Sequence, residues 1–173
     1  MILKGRVWKF GDDISTDLIA PGRYFHLRSN LDEFVKHVLE DANPDFAGRV
    51  KPGDFVVGGK NFGLGSSREH APLLIKMAGV SAVVAKSVAR IFFRNAINIG
   101  LPVLICDTDP LPDGALLEAD LANGQLQVLP KGRRIEFSPL PDVMLRILQD
   151  GGLVDHIKKN KGFGLADQGG DVR

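Results

Sequence analysis

Three short apolar runs restrict this chain more than any other feature: "FVVGG" at 55–59, "SAVVAKS" at 81–87 and "LPVLIC" at 101–106. Each is short, rich in Val and other strand formers, and lacks strict polar alternation, the pattern of strands buried in a parallel sheet. Between them "LLIKMAG" (73–79) and "VARIFFRNAINIG" (88–100) read as helices. Strands alternating with helices predict an α/β fold with a parallel core sheet, to which "ILKGRVWKF" (2–10) adds a first strand.

From Asp107 the character changes. In "ALLEADLANGQLQVLPKGRRIEFSPL" (115–140) the dipeptide Asn123-Gly124 sits between alternating runs and signals an antiparallel hairpin. "PDVMLRILQDGG" (141–152) reads as a helix with Pro141 in its first turn. Earlier, "GDDISTDLIAPGRY" (11–24) reads as loop. "SNLDEFVKHVLEDA" (29–42) predicts a helix, with Leu31, Phe34, Val35, Val38 and Leu39 at helical spacing and Asn30 and Glu33 placed as a capping box. The expectation is one domain over 1–159 and a flexible tail over 160–173.

Function classes are narrowed by composition. At 173 residues, 44% hydrophobic and 25% charged, the chain has enough apolar side chains for a packed core. A net charge of +1 gives no general attraction to nucleic acid or anionic lipid, and the one basic cluster is "KKNKG" (158–162). The N-terminus lacks an apolar leader, and no run of about 18 apolar residues occurs, so neither nucleic acid nor membrane is expected as a partner and the expected location is cytoplasmic. Cys106, the sole cysteine, cannot form an internal disulfide or hold a cluster without ligands from elsewhere. It ends an apolar run and reads as an inert core thiol.

The chemistry concentrates in "NFGLGSSREHAP" (61–72). A proline past the first helical turn removes a ladder hydrogen bond, so Pro72 sets the helix start within 68–71 and leaves Ser66 and Ser67 outside the helix interior. Gly63 and Gly65 permit positive φ and close approach of a ligand. N–H groups at a helix start, joined by the Arg68 fork, suit a small carboxylate or phosphate, and the same donors ease loss of a serine proton. A structural reading stands beside this one, because Ser66 and Glu69 also fit the S-x-x-E capping box. The third glycine of a dinucleotide fingerprint and the Gly-Lys-Ser/Thr of a phosphate loop are both missing.

Together with "GDDISTDLIAPGRY" and "AKSVARIFFRNAINIGLP", this loop resembles the small subunits of 3-isopropylmalate dehydratases, in the aconitase superfamily. The resemblance runs from about Gly5 to His156. It implies a swivelling three-layer β/β/α domain, like the mobile last domain of aconitase, that closes over a large subunit carrying a [4Fe-4S] cluster, with no metal on this chain. It also implies a hydro-lyase of leucine biosynthesis in which Ser66 is the base, Ser67 and Arg68 hold the substrate carboxylate, and Asp17 is an active-site aspartate. Asp17 would orient a neighbouring cation or hydroxyl; Ser15, Thr16 and Asp17 also suit loop capping.

The family reads the variable end of its substrate with the loop that here runs "YFHLRSN". Tyr24, Phe25 and Leu27 suit an isopropyl group, whereas Arg28 and His26 suit a third carboxylate, so the alternative is the small subunit of a homoaconitase or of a related substituted-malate hydratase; Arg28 also reads as a solvated residue before a helix cap. A third reading is a regulatory domain that binds carboxylates without catalysis. His70 reads as structural, His37 as solvated, and His156 and Lys158 as part of a frayed terminal turn. Arg90 and Arg94, four apart on one helix face, support the loop, meet the large subunit, or form an exposed basic face.

Overall fold

The computed structural model describes residues 1–162. Its sheet has seven strands: β1 (Ile2–Lys9), β2 (Phe55–Val57), β3 (Ala82–Ala85), β4 (Val103–Ile105), β5 (Leu116–Asp120), β6 (Gln125–Val128) and β7 (Arg134–Glu136). Their order is β4-β3-β2-β1-β5-β6-β7. The first four are parallel, with Val7 opposite Phe55, Phe55 opposite Ala82, and Val83 opposite Val103. β5 joins the other edge of β1 antiparallel, so the hairpin region extends the core sheet. This is the α/β fold expected, with one continuous mixed sheet.

Alternation along the strands splits the core in two. Val56, Val83, Ala85 and Val103 face one cluster with Phe34, Phe46, Phe62, Leu74 and Phe92. Phe55, Val57, Ala82, Val84 and Leu104 face the other, which also holds Leu117, Leu126, Ile135, Ile147 and Leu148. Both halves of the sheet therefore contribute to the second core, as a curled sheet must. Phe34, Phe46, Phe55 and Phe62 are fully buried, each contributing about 1.5–3 kcal/mol by the usual area relation.

The helices are α1 (Thr16–Ile19), α2 (Leu31–Phe34), α3 (Phe46–Arg49), α4 (His70–Met77), α5 (Arg90–Asn98), α6 (Asp142–Gln149) and α7 (Leu153–Asn160). Two differences from the sequence reading shape the site. The stretch 11–24 is not all loop: Ser15 caps a single turn, accepting a hydrogen bond from the Leu18 N–H at 3.1 Å, and a 3-10 helix follows over Gly22–Ser29. The helix expected over 29–42 breaks. Asn30 caps it, but α2 ends at Phe34, a 3-10 turn covers Val35–His37, and Val38 is extended.

Tertiary contacts outweigh helical spacing here. Leu39 takes φ 56°, and its N–H bonds to the Ile19 carbonyl at 3.0 Å instead of a carbonyl one turn back. The turn buries Phe34, Val38 and Leu39 completely and frees Glu40 and Asp41 to pair with Arg23. His37 is not simply solvated: its ring stacks on Tyr24 at 3.7 Å and its Nδ1 lies 2.7 Å from Glu40.

His156 is likewise not frayed. It is 1% exposed, with Nδ1 2.6 Å from Asp150. The expected tail begins at the last residue of α7, and 163–173 lie outside the described residues.

Candidate active site

The loops after β1 and β2 leave the same end of the parallel sheet and are tied together by backbone hydrogen bonds. Asp13 N–H donates to the Lys60 carbonyl, Gly63 N–H to Ile14, and Thr16 N–H to Leu64, at 2.7–2.8 Å. Residues some 50 apart in sequence thereby meet. Gly63 sits at φ 75°, and a Cβ there would fall 2.3 Å from the Phe92 ring. Gly65 sits at φ 109°, with Thr16 Oγ1 3.1 Å from where its Cβ would be. Both positions favour glycine for backbone conformation, and Gly63 also for space.

This close approach sets Ser66. Its Oγ lies 3.4 Å from the hydroxyl of Thr16, which is 3% exposed, while Ser66 and Ser67 themselves are exposed. α4 begins at His70, within the range set by Pro72, and its N-cap Glu69 has no side-chain cap bond. Ser66 and Glu69 therefore do not form the reciprocal capping box, and the Ser66 hydroxyl turns toward Thr16.

Arg68 is fixed on one amine. Nη1 donates to Asp17 Oδ1 at 2.9 Å and to the Ala20 carbonyl at 3.0 Å. No hydrogen bond engages Nη2 among the described residues, so that amine is open to an anion. Because Ser15 caps α1, Asp17 is left to orient Arg68, and it also accepts the Gly22 N–H at 3.1 Å. One carboxylate thus ties the cation to the first residue of the 22–29 loop.

Within that loop the four candidate residues divide. Tyr24 stacks on His37 and lies beneath the Arg23 guanidinium at 4.8 Å. Arg23 pairs with Asp41 and holds its carboxyl below the usual range. At Glu40, burial raises the pKa, but hydrogen bonds led by that of His37 outweigh it and leave the carboxyl below its ordinary value. Leu27 packs on the first core, and His26 Nδ1 lies 3.2 Å from the Arg23 carbonyl.

Phe25 is the residue that comes to the site. Its ring centroid lies 5.7 Å from the Arg68 guanidinium and 6.2 Å from the His70 ring, and it is 40% exposed. Arg28 stacks on the same ring at 5.0 Å and donates to the Phe25 carbonyl at 3.3 Å. An apolar ring and a second guanidinium thus stand beside the anion clamp.

Thr16 is the neighbour of Ser66 that the sequence did not single out, where it read as one of three loop-capping residues. A depression of about 720 Å³ lies toward the other end of the sheet, bordered by Arg6, Trp8, Lys51 and Asp54. There Asp54 is already committed to the Trp8 indole N–H and to the N–H groups of Arg6 and Lys51.

These residues do not fit an iron-sulfur cluster. Among the described residues no three His, Cys, Asp or Glu side chains gather as metal ligands. Burial pushes the Cys106 thiol up to about 11, away from the thiolate that metals bind. No helix among the described residues is long and apolar enough to cross a membrane.

Fold and site define an α/β domain with an exposed serine pair beside an arginine anchored through one amine. Residues 19–107 match the aconitase C-terminal domain family. The chain is 64% identical over 160 residues to 3-isopropylmalate dehydratase small subunit 2 of Archaeoglobus fulgidus, covering 92% of this chain and 97% of that one. It is 51% identical over 169 residues to the methanogen homoaconitase small subunit of Methanothermobacter thermautotrophicus, covering 98% of each. The crystal structure of a 3-isopropylmalate dehydratase from Methanocaldococcus jannaschii superposes with a TM-score of 0.87 at 45% identity, over 93% of this chain and 96% of that one. The chain belongs to the aconitase superfamily, in the family of 3-isopropylmalate dehydratase small subunits.

Proposed function

We propose that this chain is the small subunit of a cytoplasmic two-chain hydro-lyase that interconverts 2-isopropylmalate and 3-isopropylmalate in leucine biosynthesis. Its partner is a large subunit, to which the [4Fe-4S] cluster belongs. The observation that carries the reading is Ser66: an exposed hydroxyl, backed by the buried Thr16 hydroxyl at 3.4 Å, two residues before an arginine with one amine fixed and one open.

The residues act on the acid as follows. Arg68 Nη2 and Ser67 hold a substrate carboxylate. Ser66 Oγ, as alkoxide, takes the proton from the carbon next to the one bearing the hydroxyl. Rehydration adds water the other way round, its hydroxyl to the carbon that lost the proton and its proton to the carbon that lost the hydroxyl. Departure of the hydroxyl is assigned to the large subunit. Thr16 supports the negative charge on Ser66, and Asp17 keeps Arg68 in place. Phe25 gives the isopropyl group an apolar wall.

Arg28 favours a second reading, because it shares the Phe25 ring with Arg68 and is a ready partner for a third carboxylate. In that case the chain serves a homoaconitase.

The test is an anaerobic hydratase assay of this chain co-expressed with its large subunit, with the cluster reconstituted. The expected result is a higher kcat/KM for 3-isopropylmalate than for homoaconitate; the opposite preference makes Arg28 the reader of a carboxylate. Ser66→Ala should lower kcat by about 10²–10⁴ while subunit association persists. A kcat near wild type would remove Ser66 from the role of base.

A further inference from the structure

The 3-10 segment Gly22–Ser29 contains no buried residue, so its position is set by contacts at its surface. Two neighbours within it divide that work. Tyr24 gives its ring to His37, stacked at 3.7 Å and 12°. The next residue, Phe25, brings its ring centroid 5.7 Å from the Arg68 guanidinium and 6.2 Å from the His70 ring. One contact reaches the site and the other reaches away from it.

The outward contact belongs to a network. Arg23 forks onto Asp41, Nη1 to Oδ2 and Nη2 to Oδ1, each at 2.7 Å, and Nη2 also meets Glu40 Oε1. His37 Nδ1 lies 2.7 Å from the other oxygen of Glu40, and the Arg23 guanidinium stands 4.8 Å from the Tyr24 ring centroid. Two side chains of the segment thus grip three of the 37–41 turn. A lone exposed ion pair does little, but a bidentate fork joined to a stacked pair of rings restrains two adjacent residues at once.

From that turn the contacts lead back to the site. Leu39 N–H donates to the Ile19 carbonyl at 3.0 Å. The same short stretch of chain supplies Asp17 and the Ala20 carbonyl to Arg68 Nη1, and Asp17 also accepts the Gly22 N–H. A Cβ on Gly22 would lie 3.7 Å from Arg68 Nη2, so the first residue of the segment borders the open amine. Arg68, α1, the 37–41 turn and the 22–29 segment therefore form a closed ring of contacts that begins and ends at the guanidinium.

We propose that Arg23 and Tyr24 are positioning residues: through the 37–41 turn they fix Phe25 beside Arg68 and so set the space left for the apolar end of an acid held by that arginine. The inference rests on the proposed carboxylate clamp at Arg68 and adds what fixes the apolar wall next to it. Without this grip the segment keeps its tie at Gly22 and the packing of Leu27 on the first core, while the Phe25 ring is free to leave the guanidinium. The loss falls on recognition of the alkyl group and not on proton transfer at Ser66.

The test has two readouts. In the isolated chain, nuclear Overhauser contacts from the Phe25 ring to the Arg68 side chain and the His70 ring should be present in wild type, lost in Arg23→Gln and in Tyr24→Leu, and kept in Lys36→Gln, which breaks only the exposed pair of Lys36 with Glu33. Each of these variants should unfold within about 4 °C of wild type, as surface changes do. Arg23→Lys, which keeps the charge and loses the fork, replaces either anchor variant that does not fold.

In the enzyme assembled with its large subunit, both anchor variants should raise KM for 3-isopropylmalate about 10-fold with kcat within about threefold of wild type. The Ki of malate, which has both carboxylates and no isopropyl group, should stay within about twofold, because it uses the clamp alone. Arg23→Gln/Asp41→Asn should cost no more than Arg23→Gln, as partners in one pair do. Overhauser contacts and KM at wild-type values in both anchor variants overturn the inference and leave the small-subunit reading intact. Equal losses for 3-isopropylmalate and malate also overturn it, since the segment would then support Arg68 itself. An assembled wild type inactive on 3-isopropylmalate overturns the small-subunit reading, and the contacts in the isolated chain still decide whether Arg23 and Tyr24 position Phe25.

Discussion

Thr16→Val removes one hydroxyl and keeps the side-chain shape, which isolates what Thr16 does for Ser66. A hydroxyl 3.4 Å away is a loose contact while Ser66 is neutral. It becomes a charge-assisted bond once Ser66 carries a negative charge. The expected result is a kcat lower by about 10- to 100-fold, somewhat less than the loss of a full oxyanion donor, with KM little changed. In a Ser66→Ala background the same substitution should cost nothing further, because the hydroxyl it supports is gone. An equal loss in both backgrounds would show that Thr16 acts on the loop and not on Ser66. This residue also marks the limit of what was legible. Gly63 and Gly65 are legible locally through backbone freedom, Arg68 through its fork of donors, and Pro72 through the helix start it sets. Thr16 gains its role only when the loops after β1 and β2 meet, and that pairing has no local sequence signal.

At the scale of elements, α6 and α7 are joined by one carboxylate. Asp150 caps the C-terminus of α6 and accepts hydrogen bonds from Lys159, from the buried His156 at 2.6 Å and from Asn160 at 3.2 Å. These donors, Lys159 first and His156 second, hold its pKa down at about 2. A carboxyl depressed in the folded chain binds its proton more readily when unfolded, where the pKa is about 3.9. Its stabilising effect is therefore present above about pH 4 and is lost as pH falls toward 2. Asp150→Asn should lower Tm at neutral pH, and the gap from wild type should close as thermal unfolding is repeated at pH 4, 3 and 2. A gap unchanged over that range would mean that the charge of Asp150 does not join the helices. The parallel strands and the helices between them were legible because β2 and β3 are buried throughout. The helix over 29–42 was misread because its apolar spacing is helical, whereas the Leu39 N–H to Ile19 bond and the pairing of Arg23 with Glu40 and Asp41 are settled across distant residues.

The whole molecule presents Ser66, Ser67 and Arg68, the groups proposed to handle the substrate, without covering them, and the consequence can be measured on the isolated chain. Arg68 is partly screened, with 28% of its side chain exposed, and Ser66 and Ser67 are open to water. An ion pair in such a setting contributes about 0–1 kcal/mol. A few solvated contacts of that size cannot hold a small acid more tightly than about millimolar, which corresponds to roughly 4 kcal/mol. Exclusion of water by a second body strengthens every one of them, since the same charges interact more strongly at lower effective dielectric. Titration of the isolated chain with 3-isopropylmalate, followed by NMR or calorimetry, should therefore give a Kd no tighter than about 1 mM and no turnover. In the assembled enzyme the KM should fall well below that value. A micromolar Kd for the isolated chain, with no activity beside any large subunit, would instead identify a carboxylate-binding regulatory domain. Ser66 would then be a hydrogen-bonding group at that site and not a base.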